Sequence, residues 1–180
     1  MSAGLRESLW TLGYLGCGAA AGWLNWRLLP GAPQLLPFLV VGFASGLIYA
    51  GIRLRGFGYG MMMVVLLFFL QLALMPPLRT ETVVRAAIWA FPVGMSFLTA
   101  GAIFRWWQRV RFGKFLLMAL LVGLGYLLVM ILFRVRAQQG LIAHQLRSQF
   151  LLGAMQGGFL GLLIEGLEFI FLPSGVDGTE

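Results

Sequence analysis

Two glutamates, Glu165 and Glu168, stand three residues apart inside the apolar stretch GAMQGGFLGLLIEGLEFIF, Gly153 to Phe171. A charged side chain near the bilayer centre costs on the order of 2.5–3.5 kcal/mol or more, so such residues must be paired, protonated or solvated in a cavity. The chemistry open to them is a proton or cation site, a polar seat for a partner helix, or an ion pair that holds a bundle together. On a helix advancing about 100° per residue, Gly153, Gly157, Gly161 and Glu165 make one continuous row. Ala154, Gly158 and Glu168 fall on the same face, while Met155, Phe159, Leu163, Leu167 and Ile170 dominate the other. Both acids are therefore expected on a small-residue face that admits a neighbouring backbone. With the helix centred near Gly161, Glu165 lies about 6 Å and Glu168 about 10 Å from the midplane at 1.5 Å rise per residue.

Other residue types with chemistry are sparse. His144 and Cys17 are the sole histidine and cysteine, and Asp177, in the tail, is the sole aspartate. A zinc site wants three or four Cys, His or carboxylate ligands, so neither a metal nor another cofactor is expected, and an intrachain disulfide is excluded. Met61, Met62 and Met63 are read as packing side chains. The segment GFASGLIYAG (Gly42–Gly51) superficially resembles the serine segment of rhomboid intramembrane proteases, with Ser45 at the nucleophile position. Ala44 departs from that pattern and His144 falls outside the apolar runs, so a Ser–His dyad within hydrogen-bond reach is not expected. No catalytic residues are expected, and no enzyme.

The elements that must position the glutamates follow from composition. The chain has 180 residues, of which 60% are hydrophobic and 11% charged, with a mean hydropathy of +0.90. Soluble domains run at about 45–50% apolar and about 25% charged, which places this chain in the lipid bilayer. Apolar runs separated by polar, Pro or Gly breaks predict an all-α polytopic membrane helix bundle with about six transmembrane helices, each needing roughly 20 residues. They are Leu9–Leu29, Leu35–Ile52, Tyr59–Leu78, Val83–Phe104, Phe115–Phe133 and Ser148–Leu172, one integral membrane domain over residues 1–180. The small residues GCGAAAG (Gly16–Gly22) are followed by more apolar sequence, so the first run reads as an uncleaved span. Ala137–Gln149 is either a short surface amphipathic helix or a connecting loop.

The net charge of +7 sits in short clusters between apolar runs, the pattern of topology signals and headgroup contacts, and nucleic acid is not an expected partner. Arg53, Arg55, Arg105, Arg109, Arg111 and Lys114 crowd two short turns on the N-terminal side, where Arg6 also lies. Arg27, Arg79, Arg85, Arg134, Arg136 and Arg147 are scattered on the other. Under the positive-inside rule this favours cytoplasmic termini in a bacterial-type inner membrane, a multi-pass cell-membrane protein. In either orientation Arg53, Arg105 and Arg6 end on the side of the glutamates, and Arg53 and Arg105 are the expected partners of Glu165 and Glu168.

Glycines four apart offer helix-packing positions at Gly18 and Gly22, Gly42 and Gly46, and Gly153, Gly157, Gly158 and Gly161. With Gly56 and Gly60 these make five GxxxG pairs among 25 glycines, barely above the three or four that chance predicts, roughly, so placement matters more than number. Asn25 and Arg27 read as an interfacial anchor, and Gln71 as an interhelical hydrogen bond. VGFASGLIYAGIR (Val41–Arg53) and VGMSFLTAGAIFR (Val93–Arg105) echo one another. Duplicated helix pairs, spans two–three and four–five, and chance likeness both account for that echo. The inventory favours a small non-catalytic helix-packing subunit or scaffold, working with a protein partner or as a homo-oligomer in the membrane. The alternative is a solute or ion transporter or channel component that uses Glu165 and Glu168 as an intramembrane polar site.

Overall fold

The structure, a computed structural model, describes residues 3–29, 35–74, 79–106 and 113–171. Among these the chain is all-helical: α1 (Ala3–Leu28), α2 (Leu36–Arg55), α3 (Phe57–Leu74), α4 (Thr80–Trp106), α5 (Lys114–Arg136) and α6 (Ala143–Phe171). Four of the six, α2, α4, α5 and α6, are long and apolar enough to cross a membrane. This is a membrane-embedded helix bundle. The α3 helix is very apolar but only 18 residues long, about 27 Å at 1.5 Å per residue against a hydrocarbon core of about 30 Å. The α1 helix is longer, with glycine, alanine and polar residues diluting its apolar content. The residues Arg109, Arg111, Leu172 and Asp177, and most of the proline-bearing turns, lie outside the described residues.

Lipid exposure is written along α5. Leu116, Leu120, Leu124, Leu128 and Leu132 form an exposed row at four-residue spacing, whereas Met118, Val122, Tyr126 and Val129 on the opposite side are buried. That row runs about 24 Å, an unbroken apolar stripe on the scale of the hydrocarbon core of about 30 Å.

Every helix packs on its chain neighbours, and α6 returns to α1, so the bundle closes into a ring, with α2 also meeting α4 and α6. Two of these seams are glycine-paved. At the α1–α2 crossing, a Cβ added to Gly18 would lie 2.1 Å from the Gly42 carbonyl oxygen, and one on Gly42 would lie 2.2 Å from that of Gly18. Gly22 faces Phe38 O at 2.2 Å, and Gly46 faces Tyr14 O at 2.4 Å. At the α5–α6 seam the same construction puts Gly153 at 2.6 Å from Val122 O, Gly157 at 2.3 Å from Met118 O, and Gly161 at 2.5 Å from Phe115 Cα. No side chain fits at these positions without moving a backbone. Gly158 differs: its nearest neighbour is Ala119 Cβ at 3.6 Å, ordinary contact.

The last helix departs from the sequence reading in two ways. It starts at Ala143, so the polar residues before Ser148 are its first turns, and only residues 137–142 remain as the connecting loop, with no separate surface helix. Its buried side is also broader and rotated: Gln156, Leu160 and Ile164 are buried together with Gly153, Gly157, Gly161 and Glu168. Ring closure is the reason. The glycines serve the seam with α5, and α6 must also bury a second side against α1.

Candidate functional site

Glu168 lies in the last turn of α6 and is buried. Its Oε1 accepts hydrogen bonds from the Tyr14 hydroxyl of α1 at 3.0 Å and the Tyr49 hydroxyl of α2 at 3.3 Å. The Arg53 Nε, also on α2, stands 3.7 Å from the same oxygen. Oε2 accepts from Nζ of Lys114, the first residue of α5. One carboxylate thus gathers side chains from three other helices. The pairing is needed because an uncompensated charge buried among aromatic rings would be costly. Those rings are close: Tyr14 meets Tyr49 edge-on at 5.1 Å and lies tilted by 30° against Trp10 at 5.7 Å, and Tyr49 meets Phe104 at 6.4 Å. Lys114 Nζ lies 5.8 Å from the Phe104 ring centroid, within cation–π range.

Glu165 does a different job. Its Oε1 accepts the backbone N–H of Lys114. The first N–H groups of a helix have no partner inside it, and Gly113, which precedes α5 with φ of 102°, has no side chain to cap them. Glu165 supplies the cap from the neighbouring helix, with its charge at the positive end of the α5 dipole. The close approach at Gly161 brings α6 onto the start of α5 and makes this reach short. Two carboxylates and two cations, Arg53 and Lys114, balance within the cluster.

Of the predicted partners, Arg53 reaches Glu168 and Arg105 does not. Arg105 donates Nη1 to the Ile52 carbonyl at 2.9 Å, satisfying the C-terminal end of α2 where the chain turns into α3 through Gly56 alone, φ 103°. The absence of a side chain at Gly56 leaves room for the guanidinium there; a Cβ at Gly56 would lie 2.9 Å from Arg105 Nη1. Arg6 is exposed, and Glu7 pairs with Arg55 at the same end of the bundle. Lys114, Tyr14 and Tyr49 were not singled out as partners. Lys114 carried a signal, being the only lysine among thirteen basic residues. The tyrosines carried none, since a tyrosine inside an apolar run reads as core or belt.

A second polar contact lies farther along the α1–α6 seam. Asn25, expected at the interface, is instead 1% exposed and donates Nδ2 to Gln156 Oε1 at 3.0 Å. The Asn25 Oδ1 and Gln156 Nε2 atoms are buried without a hydrogen-bond partner among the described residues. Gln71 is buried in α3. Ser45 and His144 are not brought together: Ser45 is buried with its hydroxyl on the Gly42 carbonyl at 2.7 Å, and His144 is exposed in the first turn of α6. Among the described residues no three His, Cys, Asp or Glu side chains cluster as metal ligands would. Comparison of the chain with protein-family models, with curated proteins and with solved structures gives no match.

Proposed function

We propose that this chain is a non-catalytic, helix-packing subunit or scaffold of a membrane complex. In this reading all six helices span a bacterial-type inner membrane, both termini are cytoplasmic, and the bundle works with a protein partner or a second copy of itself. The supporting observation is the engagement of Glu168. Both carboxylate oxygens are taken up by fixed groups of α1, α2 and α5, which suits a clasp that locks the ring closed better than a site that loads and releases an ion. The α4 echo of α2 fits a division of labour in the same architecture, with Arg53 on the clasp and Arg105 on a helix end.

Transport is the second reading, with Glu165 and Glu168 as its polar site. The observation in its favour is the pair of unpartnered buried atoms on Asn25 and Gln156 in the seam that also carries Glu168. Purified protein with Glu165→Gln or Glu168→Gln decides between them, assayed for unfolding in mixed micelles and for ion or solute flux in proteoliposomes. The scaffold reading expects a stability loss in Glu168→Gln and no flux in the parent protein. Parent flux that disappears in the variants at unchanged stability overturns it.

A further inference from the structure

At the end of the bundle opposite Glu168, a cavity of about 660 Å³ opens between the start of α4 and the end of α5. Its rim is polar: Glu81 and Arg85 from α4, Arg134 and Arg136 from α5, and Gln139 from the turn that follows. Its floor is apolar, made by Trp89, Met130 and Phe133. Trp89 is held in place by edge contact with the buried ring of Tyr126, centroids 6.2 Å apart. The cavity falls within the range of about 300–1,000 Å³ usual for small-molecule sites.

The charges around the rim do not cancel. Three guanidinium groups face one carboxylate, and that carboxylate, Glu81, is already bonded to Arg85. Arg134 is partly buried and donates to the side-chain oxygens of Gln139, at 2.8 Å, and Gln145. Both acceptors are neutral amides, so Arg134 is oriented without being neutralised. Arg136 is exposed and has no ion pair among the described residues. The turn that delivers Gln139 is the Schellman end of α5. Gln138 adopts φ of 53°, the one positive-φ residue other than glycine among the described residues, and the Gln139 N–H then bonds the Arg134 carbonyl at 3.0 Å. The Gln138 N–H bonds the Val135 carbonyl at 3.1 Å, and the two bonds together fix Gln139 at the rim.

We propose that this cavity binds an anionic amphiphile, with a phosphate group at Arg85, Arg134 and Arg136 and the start of an acyl chain against Trp89, Met130 and Phe133. Guanidinium forks match phosphate oxygens in pairs, and an apolar floor beneath a cationic rim matches the order of headgroup and chain at a bilayer surface. The site lies apart from the Glu168 cluster and does not depend on the scaffold reading. The volume takes a headgroup and part of one chain, leaving the remainder of the lipid in the bilayer.

The experiment uses the full chain in a zwitterionic detergent, with lipid retention read by native mass spectrometry. Phosphatidylglycerol, phosphatidylcholine and inorganic phosphate are the three probes. The expected result is at least a 10-fold preference for phosphatidylglycerol over phosphatidylcholine in the parent, with inorganic phosphate displacing it only at 100-fold or greater molar excess. Arg134→Gln with Arg136→Gln should cut that preference 10-fold, and Arg136→Gln alone, which breaks no ion pair or side-chain hydrogen bond among the described residues, about 3-fold. Arg27→Gln, at the same end but outside the cavity, should leave it unchanged. Equal retention of the two lipids by the parent overturns the proposal without reference to any variant's folding, and an equal loss in a folded Arg27→Gln overturns it too. Displacement by equimolar phosphate overturns the amphiphile and leaves a free-anion site in its place.

Discussion

The hydroxyl of Tyr14 donates to Oε1 of Glu168 at 3.0 Å, across 154 positions of sequence. That bond ties the first helix to the last. A helical hairpin such as α1–α2 or α5–α6 can form from local contacts, but a ring closes only when α6 finds α1, and the polar cluster on Glu168 supplies direction at that joint. Apolar packing in a membrane lacks the hydrophobic driving force between helices, so close contacts and hydrogen bonds carry the specificity.

Glu168→Gln is expected to destabilise the protein by about 3–5 kcal/mol, because Lys114 and Arg53 would be left beside a neutral side chain in a largely buried place. Lys114→Met should cost a comparable amount. The double variant should recover part of the summed loss, since Lys114 no longer stands unpaired and only Arg53, a quarter exposed, lacks its carboxylate. Equilibrium unfolding in mixed micelles gives the cycle directly. Simple additivity of the two losses would mean that the pair does not interact energetically.

At the glycine seams the expected penalty follows the space available. Gly42→Ala and Gly157→Ala place a methyl group against a carbonyl oxygen at 2.2 and 2.3 Å, and each should lose about 1–3 kcal/mol as the helices are pushed apart. Gly158→Ala meets only Ala119 at 3.6 Å and should gain up to about 1 kcal/mol from the better helix propensity of alanine. The three thermal midpoints, measured in one detergent, test that ordering.

The difference between Gly157 and Gly158 also marks how far the sequence could be read. Composition and run lengths announced a membrane helix bundle, because an apolar residue count of this size has no other stable use. The α6 helix is longer than its apolar run because Ala143–Arg147 is mostly polar yet helical, continued by ordinary helix formers with no breaker before Ser148. The glutamates were visible as outliers of type, and Arg53 as a cation at the right end of α2. Lys114 and the two tyrosines required knowing that α5 starts beside the end of α6 and that α1 and α2 flank it. Those are facts of tertiary approach that no single-helix wheel contains. Arg105 shows the converse: its sequence position mirrors that of Arg53, but the one-residue turn at Gly56 offers it carbonyl groups first.

Glu165 is expected to act on α5 alone. Glu165→Ala removes the cap on the Lys114 N–H and should cost about 0.5–2 kcal/mol, and Glu165→Gln, which keeps an acceptor but loses the charge at the helix end, about 0.3–1 kcal/mol. Amide hydrogen exchange should accelerate at Lys114 and Phe115 in both variants while α2 is unaffected. Equal acceleration across α1, α2 and α5 would instead make Glu165 part of the clasp around Glu168.

The Asn25–Gln156 contact makes the last prediction, and it bears on whether the α1–α6 seam is dry. Each side chain satisfies its partner with one atom and leaves another buried without a partner. Truncating one residue strands the remaining amide entirely, so Asn25→Leu and Gln156→Met should each cost about 1–3 kcal/mol. Replacing both removes every unsatisfied group at once, and the double variant should be within about 1 kcal/mol of the parent or more stable than it. Unfolding of the four proteins in one micelle gives the coupling. A double variant that loses the sum of the single penalties would show that the amides are solvated in the folded bundle, the condition an aqueous path between α1 and α6 requires.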